Sequence, residues 1–167
     1  LHSSVITRPG YAVEYDIIDP SRLFPTLMSR DLANLFPAGQ INGSSGYEEA
    51  AAQGLLAGAN AAAVSLGKPM TVLSADNSFL GLMIQEITNS GIVEPYRIFT
   101  STSPRRLHLR MSNAEKRLTE AAVSAGLISE NDASRAIRRE GSLDDLEAEV
   151  NRLQLTPEQV SSALIGK

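Results

Sequence analysis

At 167 residues, with 43% hydrophobic and 20% charged side chains, the chain has room for one ordinary domain or a small domain with an appended helical piece; disorder and membrane residence do not fit. It has no cysteine, which excludes disulfides, thiolate nucleophiles and cysteine-held metals, and its two histidines, His2 and His108, have no metal-ligand spacing. The formal net charge of −4 gives no global attraction to nucleic acid, so any such attraction must come from a local patch.

In chain order, Val5 to Ile18 reads as extended structure broken at Pro9-Gly10, with strand-like alternation over Tyr11 to Tyr15. Asp19-Pro20 marks a turn. Leu35-Phe36-Pro37-Ala38 reads as a short strand that ends at Gly39-Gln40, and Asn42 to Gly46 follows as a loop. A short strand feeding a glycine-rich loop is a common way for an α/β fold to reach a ligand. The Ala-rich stretch Tyr47 to Leu66 reads as a buried helix, with Ser45 and Glu48 as its capping box and Gly67 as its terminator. Gly54 and Gly58, four apart, are expected on one face where another backbone comes close.

Beyond Lys68-Pro69 the pattern turns helical, so a boundary falls near Thr71 to Ser74. Phe79 to Ile87 forms one amphipathic segment, and Glu94-Pro95 breaks the next. Asn113 to Ala125 is a helix followed by Gly126, and Ser129 starts another that runs to about Arg139. Ser142 is expected to cap a further helix, with Leu143, Leu146, Val150 and Leu153 at helical spacing. Thr156-Pro157-Glu158-Gln159 is a strong helix start: a capping threonine, proline at the first position and glutamine at the third. No run of apolar residues reaches the length of a membrane span, and Leu1 to Ser4 carries no signal-peptide pattern.

Three motifs carry a resemblance to a known family. The first runs from Arg8 through Pro-Gly-Tyr-Ala-Val-Glu-Tyr to Asp16 and continues at Asp19-Pro20. The second runs from Ala38 through Gly-Gln-Ile-Asn-Gly-Ser-Ser-Gly-Tyr-Glu-Glu-Ala-Ala-Ala-Gln to Gly54. The third runs from Glu94 through Pro-Tyr-Arg-Ile-Phe-Thr to Ser101 and resumes at Asn113-Ala114 and Arg117-Leu118-Thr119. In order and spacing they resemble the MnmG (GidA) family of flavin-dependent tRNA wobble-uridine modification enzymes, and weaker similarity extends through Gly126 to Glu130.

The resemblance implies an α/β piece, the end of a Rossmann-like FAD-binding domain over residues 1–72, followed by part of an all-α helical domain over residues 73–167. It implies a chemistry that uses FAD, a folate one-carbon donor and reduced nicotinamide to build a carboxymethylaminomethyl-type group on the wobble uridine, together with the GTPase MnmE. On this reading Gly39, Gln40 and Asn42 face the ribityl or ring side of the flavin, with Gly43 in the same loop, and Gly46 with Tyr47 forms the helix entrance. The physical reason is that a reduced flavin carries negative charge at its N1–C2=O edge, which a helix N-terminus stabilises through its dipole and unpaired amides. By itself, the same loop reads more readily as a plain strand-to-helix turn.

The pattern has gaps. No Gly-x-Gly-x-x-Gly occurs, so the turn that holds the adenosine half of a dinucleotide is missing, as are the family's catalytic cysteines. The chain alone is therefore expected to be inactive and to bind FAD only weakly. Where the family reads Thr-Ser-Arg-Ala-Glu-Tyr-Arg, this chain has Thr100-Ser101-Thr102-Ser103-Pro104-Arg105-Arg106, with family aspartates replaced at Ser112 and Glu115. That neighbourhood is implicated in tRNA handling by the family. Arg105, Arg106, Arg110, Lys116 and Arg117, with Glu115 the only acid among them, nonetheless make a local net charge of +4, and Arg97 lies just upstream. Arginine forks suit phosphate oxygens, which makes these residues candidates for RNA contact; they suit a solvated helix face with intrahelical pairs to Glu115 equally well. Arg135, Arg138 and Arg139 read as solvated surface, and Tyr96 and Phe99 as packing residues rather than base-stacking ones.

Two roles follow. One is a part of an FAD-dependent tRNA-modifying enzyme completed by a second chain that carries the nucleotide-binding half. The other is a non-catalytic, RNA-contacting component of a larger ribonucleoprotein, such as a mitochondrial ribosome, with tRNA or rRNA and ribonucleoprotein neighbours as partners. An excised piece of a whole enzyme is a third, weaker reading. The expected compartment is the mitochondrion or the bacterial cytoplasm.

Overall fold

Extended backbone becomes a strand only when a second segment supplies the ladder. The computed structural model describes residues 2–8, 10, 14–91, 94–99, 101, 103–153, 156–157 and 159–161, leaving aside the side chain of Ser90. Among these residues only two isolated bridges form, Leu23 with Ser29 antiparallel and Ser44 with Tyr96 parallel. The strands expected at Tyr11 to Tyr15 and Leu35 to Ala38 are therefore absent as far as they are described; Pro9 and Tyr11 to Val13 lie outside the described residues. Ala38 is extended (φ −146°, ψ 147°) but has no ladder. The expected end of a Rossmann-like sheet is thus not confirmed: among the described residues the chain is helical with extended connections.

The chain forms two compact units, Leu1–Leu109 and Arg110–Lys167. The change of texture near Thr71 to Ser74 falls inside the first of these, because the helix after it packs back on the helix before it.

In the first unit, Asp19 starts a short 3-10 turn, Pro20–Arg22, its carboxylate accepting from Ser21 N at 3.0 Å and Pro20 fixing the first φ. A tight reversal follows, in which Phe24 N donates to Met28 O at 2.8 Å and Leu27 N to Phe24 O at 2.8 Å. Leu27 sits at φ 66°, a left-handed conformation unusual for leucine, with its side chain fully buried.

Helix α1, Tyr47–Ser65, buries a stripe of Glu49, Gln53, Leu56, Ala57 and Asn60, positions that recur at the helical period. It ends as expected: Gly67 takes φ 63° and Lys68 N returns to Ala63 O at 2.8 Å. Two details differ. The N-cap is Gly46, with no side-chain cap bond, so the Ser45–Glu48 capping box does not form. Gly54 and Gly58 are exposed, and a Cβ at either would meet nothing within 4 Å, so they admit no neighbouring backbone. Helix α2, Phe79–Ser90, starts at Ser78, whose Oγ accepts from Gly81 N at 2.8 Å. Leu23, Leu27, Leu56, Ala57 and Ile84 form the core, with Ile18, Phe36, Ala38 and Leu80 packed against it. Asn60 ties this core to two connections: its Nδ2 donates to Thr26 O at 3.0 Å and Thr71 O at 2.9 Å, while its Oδ1 accepts from Thr71 N at 2.7 Å.

In the second unit, α3, Ala114–Ser124, packs on α4, Glu130–Arg152. Gly126 at φ 70° ends the first as expected, and Ser129 caps the second by accepting from Asp132 N at 3.1 Å. Ser129→Ala is expected to lower the stability of this unit by about 1 kcal/mol, read as a lower melting temperature by circular dichroism. The further helix expected to start at Ser142 is instead the continuation of α4. Ser142 Oγ donates to Arg138 O at 3.1 Å within the turn, and Lys116 of α3 holds Asp144 at 2.6 Å just beyond it. The Thr156 start signal is present, with Thr156 N donating to Gln159 Oε1 at 2.8 Å and Gln159 N to Thr156 Oγ1 at 3.3 Å; Glu158 lies outside the described residues.

Candidate cofactor and RNA sites

The predicted cofactor loop is built on left-handed glycines. Gly39 at φ 84° and Gly43 at φ 79° bracket a 3-10 turn, Gly39–Asn42, whose end is closed by Gly43 N donating to Gln40 O at 2.8 Å. A Cβ on Gly39 would meet that of Ala50 at 3.3 Å, so the turn lies tight against α1.

Beneath the turn lies a buried hub of primary amides. Gln53 Oε1 accepts from Gly39 N at 2.9 Å and from Asn42 Nδ2 at 2.8 Å, while Gln53 Nε2 donates to Ser44 Oγ at 2.9 Å. Ser44 Oγ in turn donates to Gly39 O at 3.1 Å, and Asn42 Nδ2 also reaches Pro37 O at 2.9 Å. Asn42 and Gln53 are both 0% exposed. Asn42 Oδ1 is buried without a hydrogen-bond partner among the described residues.

The sequence therefore groups residues that the structure sorts into two kinds. Gln40 and Tyr47 are exposed, with Ile41 and Ser45 on the same rim, whereas Gly39, Asn42, Gly43 and Gly46 are buried and present at most backbone atoms. Gln53 is not among the sequence candidates. Its position four residues after Glu49 and seven before Asn60 on one helical face is the signal that a buried polar stripe runs beneath the loop.

The entrance of α1 is held from the side. Tyr96 N donates to Gly43 O at 2.8 Å and Ser45 N to Tyr96 O at 3.1 Å. Buried Glu49 accepts from Ile98 N at 3.0 Å and pairs with Arg97 at 3.5 Å. A Cβ on Gly46 would fall 1.6 Å from Glu49 Oε2, so any other residue there would displace that carboxylate from its bonds to Ile98 and Arg97. Glu49 stands at the positive end of the helix dipole and is offset by Arg97, while exposed Glu48 occupies the same first turn. Tyr96 is half-buried and its hydroxyl donates to the Glu86 carboxylate; burial first, then that bond, raises its ionisation well above the ordinary tyrosine range.

The loop runs into a helix start of the kind that suits a negatively charged ligand edge. Its helix start carries no side-chain cap, backbone at Gly43 to Tyr47 lies beside an exposed rim, and the hub underneath pairs its side-chain polar atoms except Asn42 Oδ1. The adenosine half finds no matching turn in the sequence.

The basic residues divide between the two units. In the first, Arg97 pairs with Glu49 and Arg105 with Asp76 at 2.9 Å, and Arg106 is exposed. In the second, Lys116 pairs with Asp144, and Arg117 donates to Asn113 Oδ1 at 2.9 Å and Arg110 O at 2.8 Å. Glu115 pairs with Arg139 across the helix pair at 2.8 Å, in place of the intrahelical partners expected for it. Thr100 and Thr102 of the diverged motif lie outside the described residues. Among the described residues no cluster of histidine and acidic side chains could hold a metal ion, and no helix is long and apolar enough to cross a membrane.

Comparison with known proteins places this geometry. The profile of the family described as Glucose inhibited division protein A matches residues 1–69. The tRNA uridine 5-carboxymethylaminomethyl modification enzyme MnmG of Borreliella burgdorferi is 44% identical over 167 residues, all of this chain and 27% of that protein. MnmG of Granulibacter bethesdensis is 52% identical over 130 residues, 78% of this chain and 21% of that protein. A crystal structure of GidA from Aquifex aeolicus superposes with a TM-score of 0.79 at 39% identity, over 83% of this chain and 23% of that one. The chain spans about a quarter of the length of the curated relatives it matches. With motif, sequence and backbone in agreement, the chain belongs to the MnmG (GidA) family.

Proposed function

We propose that these residues supply the flavin-ring side of an MnmG-type apparatus for tRNA wobble-uridine modification, and that they are inactive without the nucleotide-binding half, which they do not contain. The observation that carries this reading is the uncapped start of α1, fed by the Gly39–Ser45 loop and backed by fully paired Gln53. When bound, FAD would supply the redox chemistry; the chain's own part is to present helix-start amides to the ring edge and to keep its loop in register. The proposed contacts are Gly39, Gln40, Gly43, Gly46 and Tyr47, with Asn42 beneath them. Arg97, Arg105, Arg106, Arg110, Lys116 and Arg117 are proposed to meet tRNA phosphates, exchanging their internal acidic partners for RNA where they have them. An MnmE-type GTPase is the further partner this reading calls for. The relatives reported above are bacterial, which favours the bacterial cytoplasm over the mitochondrion.

The test is flavin absorbance of the purified chain with and without a co-expressed MnmG segment bearing the missing dinucleotide turn. Little or no flavin is expected alone, and a yellow complex together. Stoichiometric FAD uptake by the isolated chain would refute its incompleteness. Co-purification with ribosomal RNA and no flavin in either arm would favour the ribonucleoprotein role instead.

A further inference from the structure

A loop that must present backbone amides to a ligand has to be rigid before the ligand arrives, because ordering it on binding costs affinity. Backbone geometry alone does not rigidify Gly39 to Ser44. Its two left-handed glycines have the widest conformational freedom of any residue, so the unbound loop has much entropy to lose. Something else must hold it.

We infer that Gln53, through Asn42 and Ser44, is a positioning residue that sets the conformation in which the glycine loop delivers the uncapped start of α1 to the cofactor. This deepens the flavin reading above and rests on it. One side chain, on a helix and fully buried, bonds to the start of the loop at Gly39 N, its middle at Asn42 Nδ2 and its end at Ser44 Oγ. Ser44 closes the circuit back to Gly39 O at 3.1 Å. A primary amide is the side-chain group that accepts from two donors on one atom while donating from the other without carrying charge. A carboxylate would lose the donor, and an aliphatic side chain would strand buried Gly39 N–H.

The same geometry assigns Asn42. It is 0% exposed, so it cannot touch a ligand unless the loop opens, and its Nδ2 is already spent on Pro37 O and Gln53 Oε1. It acts on the cofactor through Gly43 and the loop backbone. Ser44 carries the setting onward: its neighbour Ser45 donates to Tyr96 O, and Tyr96 N donates to Gly43 O, so the loop is gripped from below by α1 and from the side by residues 94–98.

The experiment uses the 167-residue chain labelled with nitrogen-15, as wild type, Gln53→Met and Gln53→Glu. Amide exchange and FAD-induced chemical-shift changes are followed, with exchange in the second half of α1 as the control for folding. In Gln53→Met, Gly39 N–H is expected to exchange about tenfold faster, for loss of one buried hydrogen bond, with the control unchanged. Excess FAD is expected to shift Gly43, Gly46 and Tyr47 weakly in the wild type and not in Gln53→Met. In mildly acidic buffer, where burial keeps the carboxyl protonated, Gln53→Glu retains both acceptor and donor and is expected to restore the shifts. Shifts that survive in Gln53→Met would overturn the positioning role while leaving the flavin reading standing. Wild-type chain that shows no shift with FAD even beside the co-expressed MnmG segment would overturn both, since the hub would then serve stability alone.

Discussion

Gly81→Ala is expected to destabilise the first unit by about 3 kcal/mol, although alanine is the better helix former by about 1 kcal/mol. Gly81 lies in the first turn of α2, where its N–H donates to Ser78 Oγ. A Cβ there would fall 2.4 Å from Ser74 O, 2.5 Å from Ser74 C and 2.6 Å from Leu73 O. These are backbone atoms, so the clash cannot be relieved by turning a side chain. Either the 73–74 connection or the start of α2 must move, and α2 contributes Ile84 to the core. The overpacking cost thus exceeds the propensity gain, and the sign of the mutation reverses. Because the chain contains no tryptophan, denaturant unfolding is followed by far-ultraviolet circular dichroism. A variant as stable as the wild type would show that the close approach in the structure is wrong. Gly54→Ala is the contrasting case: with open space around it, that substitution should be neutral or slightly stabilising by the same measurement.

The second large effect is expected at Asn60. Asn60→Ala removes bonds to Thr26 O, Thr71 O and Thr71 N at once and should cost about 3 kcal/mol, since each buried group left unpaired costs about 1–3 kcal/mol and water reaches the half-exposed Thr71 side. The loss is more than local. Thr26 belongs to the reversal that delivers Leu23 and Leu27 to the core, and Thr71 belongs to the connection into α2, so Asn60 fixes both against α1. Amide exchange should therefore quicken at Thr71 and through residues 24–28 together. Faster exchange at Thr71 alone would mean that the two connections are anchored independently of each other.

The helices are legible because their signals are local. Asp19-Pro20, Gly67, Ser129 and Gly126 each act through neighbours a few residues away, and each appears where the pattern places it. The strands are not legible in that sense, because a strand depends on a partner segment. Alternation from Tyr11 to Tyr15, or apolarity at Leu35-Phe36, says only that the backbone is extended. Serines mislead at two places. Ser45 has the pattern of a cap, yet its N–H is committed to Tyr96 O and the cap of α1 falls one residue later at Gly46. Ser142 has the pattern of a cap too, yet it bonds back into its own turn and α4 runs through. The glycine loop is found through its family motif, but which of its residues face outward is decided by Gln53, from outside the loop. Helical spacing from Glu49 and Asn60 marks Gln53 as part of a buried polar stripe, but its role lies in the three loop groups it meets.

Leu27 has one more consequence. Holding a leucine in a left-handed conformation costs about 1–2 kcal/mol, whereas burying its side chain recovers about 1.5–3 kcal/mol. Glycine at this place would relax the torsion and open a void; alanine would keep the torsion and open much of the same void. The reversal is thus a stopper and its neck: the bulk that fills the interior is what compels the chain to bend where the backbone would rather not.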